Sequence, residues 1–137
     1  MTGIVIDASV TLSWCFPDEQ TPMSLKVLDL LQGGRASSCS ILLAARNSQH
    51  PAARRAQETH HTATDQRFFR TLRALSPRID YASLELVAEA IQIICRDHRL
   101  TPYDALYVEL ALRSGFSLAT LDQPQRDAAI ALGVPCL

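Results

Sequence analysis

Lysine is almost missing from this chain. Of its 13 basic residues, Lys26 alone is a lysine and the rest are arginines. Diffuse attraction of polyanions by a cloud of ammonium groups is therefore not on offer. Arginine favours discrete, bidentate contacts with phosphate or carboxylate, although a GC-rich genome would leave the same bias. The formal net charge of −1 excludes the global basic field that advertises a nucleic-acid partner. No apolar run approaches 18 residues and no export leader is evident, which argues against a membrane span and for a cytoplasmic protein. Cys15, Cys39, Cys95 and Cys136 form no CxxC pair. They read as reduced thiols, not as a zinc site or a disulfide framework. Hairpin signals and internal repeats are lacking too.

What is present fits one globular domain: 137 residues, 47% of them hydrophobic, enough to bury a core. The chain opens on Ile4-Val5-Ile6, a β-branched run suited to a strand buried on both faces of a parallel sheet. Asp7, Ala8 and Ser9 follow at once. A carboxylate beside a core strand needs a partner. Ligands of open α/β sheets collect at the carboxyl ends of the strands, so Asp7 points to metal or phosphate chemistry. A helix cap by Asp7 or Ser9 over Val10–Trp14 is an equally good account.

Further on, Thr21 and Pro22 open a helix whose apolar face is read as Leu25, Leu28 and Leu31, flanked by Val27 and Leu30, with Gly33-Gly34 at its end. Phe68, Phe69, Leu72 and Leu75 recur at helical spacing. Pro77–Asp80 reads as a short edge strand. Ser83 caps a helix with the stripe Leu84, Val87, Ala88, Ile91, Ile94 and Cys95, closed by His98-Arg99. Thr101-Pro102 opens another helix, apolar nearly all round and therefore placed between the sheet and another layer, which Gly115 ends. Ser117–Asp122 reads as a strand ending in a carboxylate, Gln123–Leu132 as a helix, and Val134-Pro135 as the start of a last short strand. Strands alternating with helices predict a three-layer α/β/α sandwich around a mainly parallel sheet.

In such a fold Asp7, Asp104 and Asp122 can converge on one sheet edge. Clustered carboxylates repel, so a cluster implies a proton or a cation. Oxygen-only ligands select Mg²⁺ or Mn²⁺, which can activate water at a phosphodiester. Each acid also has a local role open to it. Asp104 with Thr101 approaches a capping box, and Asp122 can cap the helix after it. A D-x-D phosphotransfer site would need an acid where Ser9 stands. A receiver domain would need paired acids after the first strand and a late lysine. His50, His60 and His61 lack acids or cysteines at ligand spacing.

Three stretches carry a resemblance. Gly3-Ile-Val-Ile-Asp-Ala-Ser9, Leu100-Thr-Pro-Tyr-Asp-Ala-Leu-Tyr107 with Glu109-Leu-Ala-Leu112, and Leu118-Ala-Thr-Leu-Asp122 resemble the motifs of PIN-domain ribonucleases, above all the VapC-like toxins of toxin–antitoxin pairs. The resemblance covers residues 1–34 and 65–137. It implies Asp7, Asp104 and Asp122 as metal-site acids, with Ser9 and Thr120 as nearby hydroxyls. It also implies Mg²⁺- or Mn²⁺-dependent cleavage of RNA, a second copy of the chain, and a small antitoxin as partner. One family feature does not carry over. A Glu is expected early in the helix after the second strand, in a context like P-S-L-W-x-L-E-V-A-N. Ser40-Ile-Leu-Leu-Ala-Ala-Arg-Asn-Ser-Gln49 stands there with no acid, and Glu58 falls about three turns too late. The alternative is thus a catalytically impaired PIN domain that keeps only its dimer or antitoxin surface.

The same region is anomalous in composition. No large apolar residue occurs from Ala44 to Arg67, and no acid from Leu30 to Gln57. An RNA-binding arm built on Arg46, Arg54 and Arg55 and a disordered loop are two accounts of it. We favour a third, in which residues from about 38 to 62 are translated in a shifted reading frame. With wobble bases chosen freely, codons for Cys39 to Thr62 read from the second base give VASCWLLEIANTLLLAERKKRIT. That string has the shape of the family segment, with a Glu spanning codons 46 and 47, and it restores an apolar helical face. Each Leu-sized side chain lost from a core helix costs about 2–5 kcal/mol against a total stability of about 5–15 kcal/mol. Poor packing over residues 44–64 is the expectation. Sequencing the gene tests the idea. The codons read one base on should run open and encode Glu across codons 46–47, whereas a stop there makes the arginine-rich segment genuine.

Overall fold

The computed structural model describes residues 3–33, 39–41, 63–75, 80 and 82–137. Strand β1 is Ile4–Ile6, followed by helix α1 (Ala8–Ser13), a 3-10 turn at Pro17–Glu19 and helix α2 (Pro22–Gln32). Strand β2 is Cys39–Ile41 and helix α3 is Ala63–Leu75. The chain finishes with α4 (Leu84–His98), α5 (Pro102–Ser114), β3 (Ser117–Ala119) and α6 (Gln123–Ala131).

Among the described residues the sheet is three-stranded and wholly parallel, in the order β2-β1-β3. Ile4, Val5 and Ile6 stand opposite Ser117, Leu118 and Ala119. The first strand is thus central, which is why it is β-branched and continuous in apolarity. Alternation along it divides the core. Val5 and Leu118 pack with Val87, Ile91, Ile94, Tyr107 and Val108. Ile6 and Ala119 pack with Val10, Val27, Leu31 and Leu72. Helices α4, α5 and α6 therefore cover one face and α1, α2 and α3 the other, giving an α/β fold in three layers as expected. Each such Val, Leu or Ile contributes about 1.5–3 kcal/mol when fully buried.

The helix boundaries follow local chemistry. Thr21 and Ser24 form a reciprocal capping box, each side chain accepting the other's backbone N–H, with Pro22 at the first helical position. Thr101 caps α5 by accepting from the Asp104 N–H, with Pro102 at the first helical position, and Ser83 caps α4. Gly115 ends α5 at φ 68°, a conformation that costs glycine nothing. Arg99 ends α4 at φ 55° without that freedom. Helix α5 is buried on nearly every side and contacts α4, α6, β1 and β3, as its all-round apolarity implies.

Several expectations shift. The buried face of α2 is Ser24, Val27 and Leu31, with Leu25 turned to solvent, because Trp14 lies against the helix and donates its indole N–H to the Ser24 carbonyl at 2.9 Å. On α3, Leu72 is buried and Phe69 is exposed. On α4, Ala88 faces outward. Strand β3 stops at Ala119, not Asp122, because Thr120 and Asp122 leave the ladder to serve the next helix. The last short strand is a single bridge between Leu118 and Cys136. Sequence placed no strand at Cys39–Ile41, yet it pairs with β1. Asp80 is not in a strand; the rest of that proposed edge strand lies outside the described residues. So do the arginine arm, the histidines and the anomalous segment, apart from β2 and from 63–64, which open α3.

Arg113 fastens the far end of α5. Its guanidinium lies 2.8 Å from Glu109 and 2.5 Å from Asp80. Hydrogen bonds first to Glu109 and then to Asp80 raise its already high pKa. At the start of β1, a Cβ on Gly3 would meet ring atoms of Phe116 at 2.4–2.6 Å, so only glycine lets that ring lie across the strand. Gly3→Ala is expected to destabilise the fold by about 1–3 kcal/mol, the usual cost of overpacking. Phe116→Leu in the same chain should recover part of the loss. Equilibrium urea melts of both variants check this, and an unchanged midpoint for Gly3→Ala would refute the close contact.

Candidate active site

The site forms because the β1–β3 ladder runs one residue past the end of β1. The Asp7 N–H donates to the Ala119 carbonyl at 2.9 Å, which holds Asp7 beside Thr120 before either chain turns away. Asp7 then caps α1. Its carbonyl accepts from the N–H groups of Val10 and Thr11, and its Oδ2 accepts from the Ser9 N–H at 3.2 Å. The capping account of Asp7 is therefore correct, and it is incomplete. Asp7 is 0% exposed, and its Oδ1 is buried with no hydrogen-bond partner. Among the described residues no ion pair involves it. An ionised carboxylate carries about four lone-pair sites, and leaving one oxygen orphaned and dry is costly.

The hydroxyls lace the loops after β1 and β3 together. Ser9 Oγ accepts from the Leu121 N–H at 3.0 Å. Thr120 Oγ1 accepts from the Asp122 N–H at 3.0 Å, and lies 3.2 Å from Asp7 Oδ2 and 2.5 Å from Gln125 Oε1. Asp122 caps α6 by accepting from the Gln125 N–H at 2.9 Å. Asp104 sits in the first turn of α5, buried, with the Thr101 hydroxyl donating to its Oδ2 at 2.8 Å. Asp122 thus plays the capping part open to it, whereas at α5 the cap is Thr101 and the Asp104 carboxylate takes the Thr101 hydroxyl. Among the described residues, no group of three or more His, Cys, Asp or Glu side chains is placed to hold a metal ion. What the fold brings together is Asp7 with Ser9, Thr120, the head of α6 and the backbone of α5.

Gln125 is the residue that sequence reading missed. It is fully buried, accepts the Thr120 hydroxyl through Oε1 and donates from Nε2 to the Asp104 carbonyl at 3.0 Å. One signal was available. Gln125 heads the i, i+3, i+4 series Gln125, Ala128, Ala129, the buried face of α6, so a long polar side chain occupies a core position and must find partners there.

The donor set is all oxygen: the carboxylates of Asp7, Asp104 and Asp122 and the hydroxyls of Ser9 and Thr120. That chemistry suits a hard divalent cation. Mg²⁺ is commonly held through one or two carboxylates while it keeps several waters, so the residues that would hold it are Asp7 with Asp104 or Asp122. The orphaned Asp7 Oδ1 is the atom such an ion would satisfy.

A buried acid stands at the carboxyl end of the central parallel strand of this α/β domain, laced to the neighbouring loop by hydroxyls. The PIN-domain family model matches residues 4–131, and the chain belongs to that family, whose members are generally metal-dependent nucleases. No curated protein matches the chain. No helix among the described residues is long and apolar enough to cross a membrane.

Cys95 on α4 reports on Asp104. Burial first, and then the Asp104 charge, push its thiol up. Asp104→Asn removes the second cause, so the thiol pKa falls and more thiolate is present at a given pH. Alkylation of Cys95 at pH 8, followed by mass spectrometry, should therefore be faster in Asp104→Asn than in the wild type. An equal or slower rate would show that the two groups do not sense each other.

Proposed function

We propose that this chain is a Mg²⁺- or Mn²⁺-dependent endoribonuclease of the PIN-domain toxin type, hydrolysing RNA phosphodiester bonds in the cytoplasm. Its expected partners are a second copy of itself and a small antitoxin protein. The observation that carries the reading is the buried, unpartnered Oδ1 of Asp7, set at the carboxyl end of the central strand. Asp7 would anchor the ion, with Asp104 and Asp122 as the neighbouring acids. When bound, the ion would supply activation of water and stabilisation of charge developing on the phosphate. The chain's own part is positional. Ser9 holds the loop after β3 by its hydrogen bond from Leu121, and Thr120 holds Asp122 through its backbone. The toxin assignment is supported by the three motif stretches around Asp7, Asp104 and Asp122.

A second reading has its own support. The segment Ser40–Gln49 contains no acid, and the described acids form no three-membered ligand group. A chain short of one anionic ligand holds Mg²⁺ less firmly and would act through partner binding alone.

Cleavage of a structured RNA separates the two. With Mg²⁺ or Mn²⁺ present, the wild type should cut and Asp7→Asn should fall to background. Loss of a group one step behind a metal ligand already costs about 10–100-fold, so loss of the anchor should exceed the upper end. Equal background cleavage by both proteins would reject the enzyme and leave the binding domain.

A further inference from the structure

Resting on the metal reading above, we propose that Gln125 is a positioning residue that sets how firmly Asp7 holds a cation, acting through the Thr120 hydroxyl. Three observations carry this. First, the Gln125 side chain is fully buried, and both ends of its amide are spent on the site: Oε1 on the Thr120 hydroxyl and Nε2 on the Asp104 carbonyl. Its backbone N–H is spent there as well, on Asp122 Oδ1. One residue thus touches two of the acid-bearing segments, those of Asp104 and Asp122, and reaches the third, that of Asp7, through Thr120. Second, Thr120 has a single proton and two acceptors before it. Gln125 Oε1 is at 2.5 Å and Asp7 Oδ2 at 3.2 Å. The closer acceptor draws the proton, so the Thr120 hydroxyl is turned from Asp7 toward Gln125. Third, Asp7 Oδ2 is thereby left with the hydrogen bond from the Ser9 N–H, next to an Oδ1 that has no partner in either case. Gln125 keeps the lone pairs of a fully buried carboxylate available for a cation.

A glutamine that merely fastened α6 to α5 would show the same burial. The two roles part on cation affinity. A fastening residue affects the melt and leaves the affinity of the folded protein alone. A positioning residue affects the affinity and acts through Thr120. Supporting groups behind metal ligands change affinity by about 10–100-fold.

The experiment is Mn²⁺ binding by titration calorimetry on the full chain, with thermal melts alongside. Gln125→Met, similar in volume and without the amide, should weaken Mn²⁺ binding by about 10–100-fold. Thr120→Val, which leaves no hydroxyl to turn toward Asp7, should bind Mn²⁺ about as the wild type does. The double variant Gln125→Met with Thr120→Val should bind like Thr120→Val alone, because residues acting through one contact are not additive. Wild-type affinity in Gln125→Met overturns the proposal, whatever its melt, and so does a double variant as weak as Gln125→Met. Should Gln125→Met fail to fold, Gln125→Asn, whose shorter amide no longer reaches the Thr120 hydroxyl, decides, since an unchanged Mn²⁺ affinity there overturns it equally. Wild-type protein that takes up no Mn²⁺ defeats the metal reading itself. A wild type that binds, with Asp7→Asn that does not, keeps that reading whatever Gln125 shows.

Discussion

The hydrogen bond from the Asp7 N–H to the Ala119 carbonyl is the contact on which the rest depends. It prolongs the parallel ladder by one residue beyond the end of β1. Without it, the chain after β1 would be free to turn before Asp7 reached the loop after β3. With it, a carboxylate is committed to the interior at the point where two backbones diverge. The two apolar clusters flanking the sheet make this commitment affordable. They bind β1 on both faces, so the strand cannot slip to relieve the acid at its end. A one-residue slip would also send Val5 to the wrong side.

Around that contact the fold uses ordinary end-of-element chemistry at unusual density. Asp7 caps α1, Asp122 caps α6 and Thr101 caps α5. Three helix starts are therefore capped within the segments that carry Asp7, Asp104 and Asp122. Helix starts carry partial positive charge, which eases the presence of carboxylates there. At Asp7, Oδ2 takes the cap and Oδ1 is left over. At Asp104, Oδ2 is engaged by the Thr101 hydroxyl.

Much of the fold was legible because its signals were local. The run Ile4–Ile6, the Thr21-Pro22 and Thr101-Pro102 helix starts and the Gly115 stop each act within a few residues. The three-layer α/β class followed from their order, and the matching family model covers nearly the same span. Legibility failed where a distant contact decided. The face of α2 was set by Trp14, which its own periodicity could not reveal. Strand β3 was cut short by the demands of α6 on Thr120 and Asp122. Candidate acids could be found from carboxylates following strands, yet their division of labour could not. That division depends on which oxygen of Asp7 is left over, a matter of ångströms across segments 113 residues apart.

That separation has a consequence for synthesis. The central strand leaves the ribosome more than a hundred residues before β3, and one of its two edges waits for it. At about 5–20 residues per second, several seconds pass with a β-branched strand half-paired. Until Gln125 has also emerged, neither the hydroxyl beside Asp7 nor the head of α6 is in place. The buried acid therefore has no site around it in a nascent chain that stops short of α6. Whatever this domain does to its target, it cannot begin before that helix has been made.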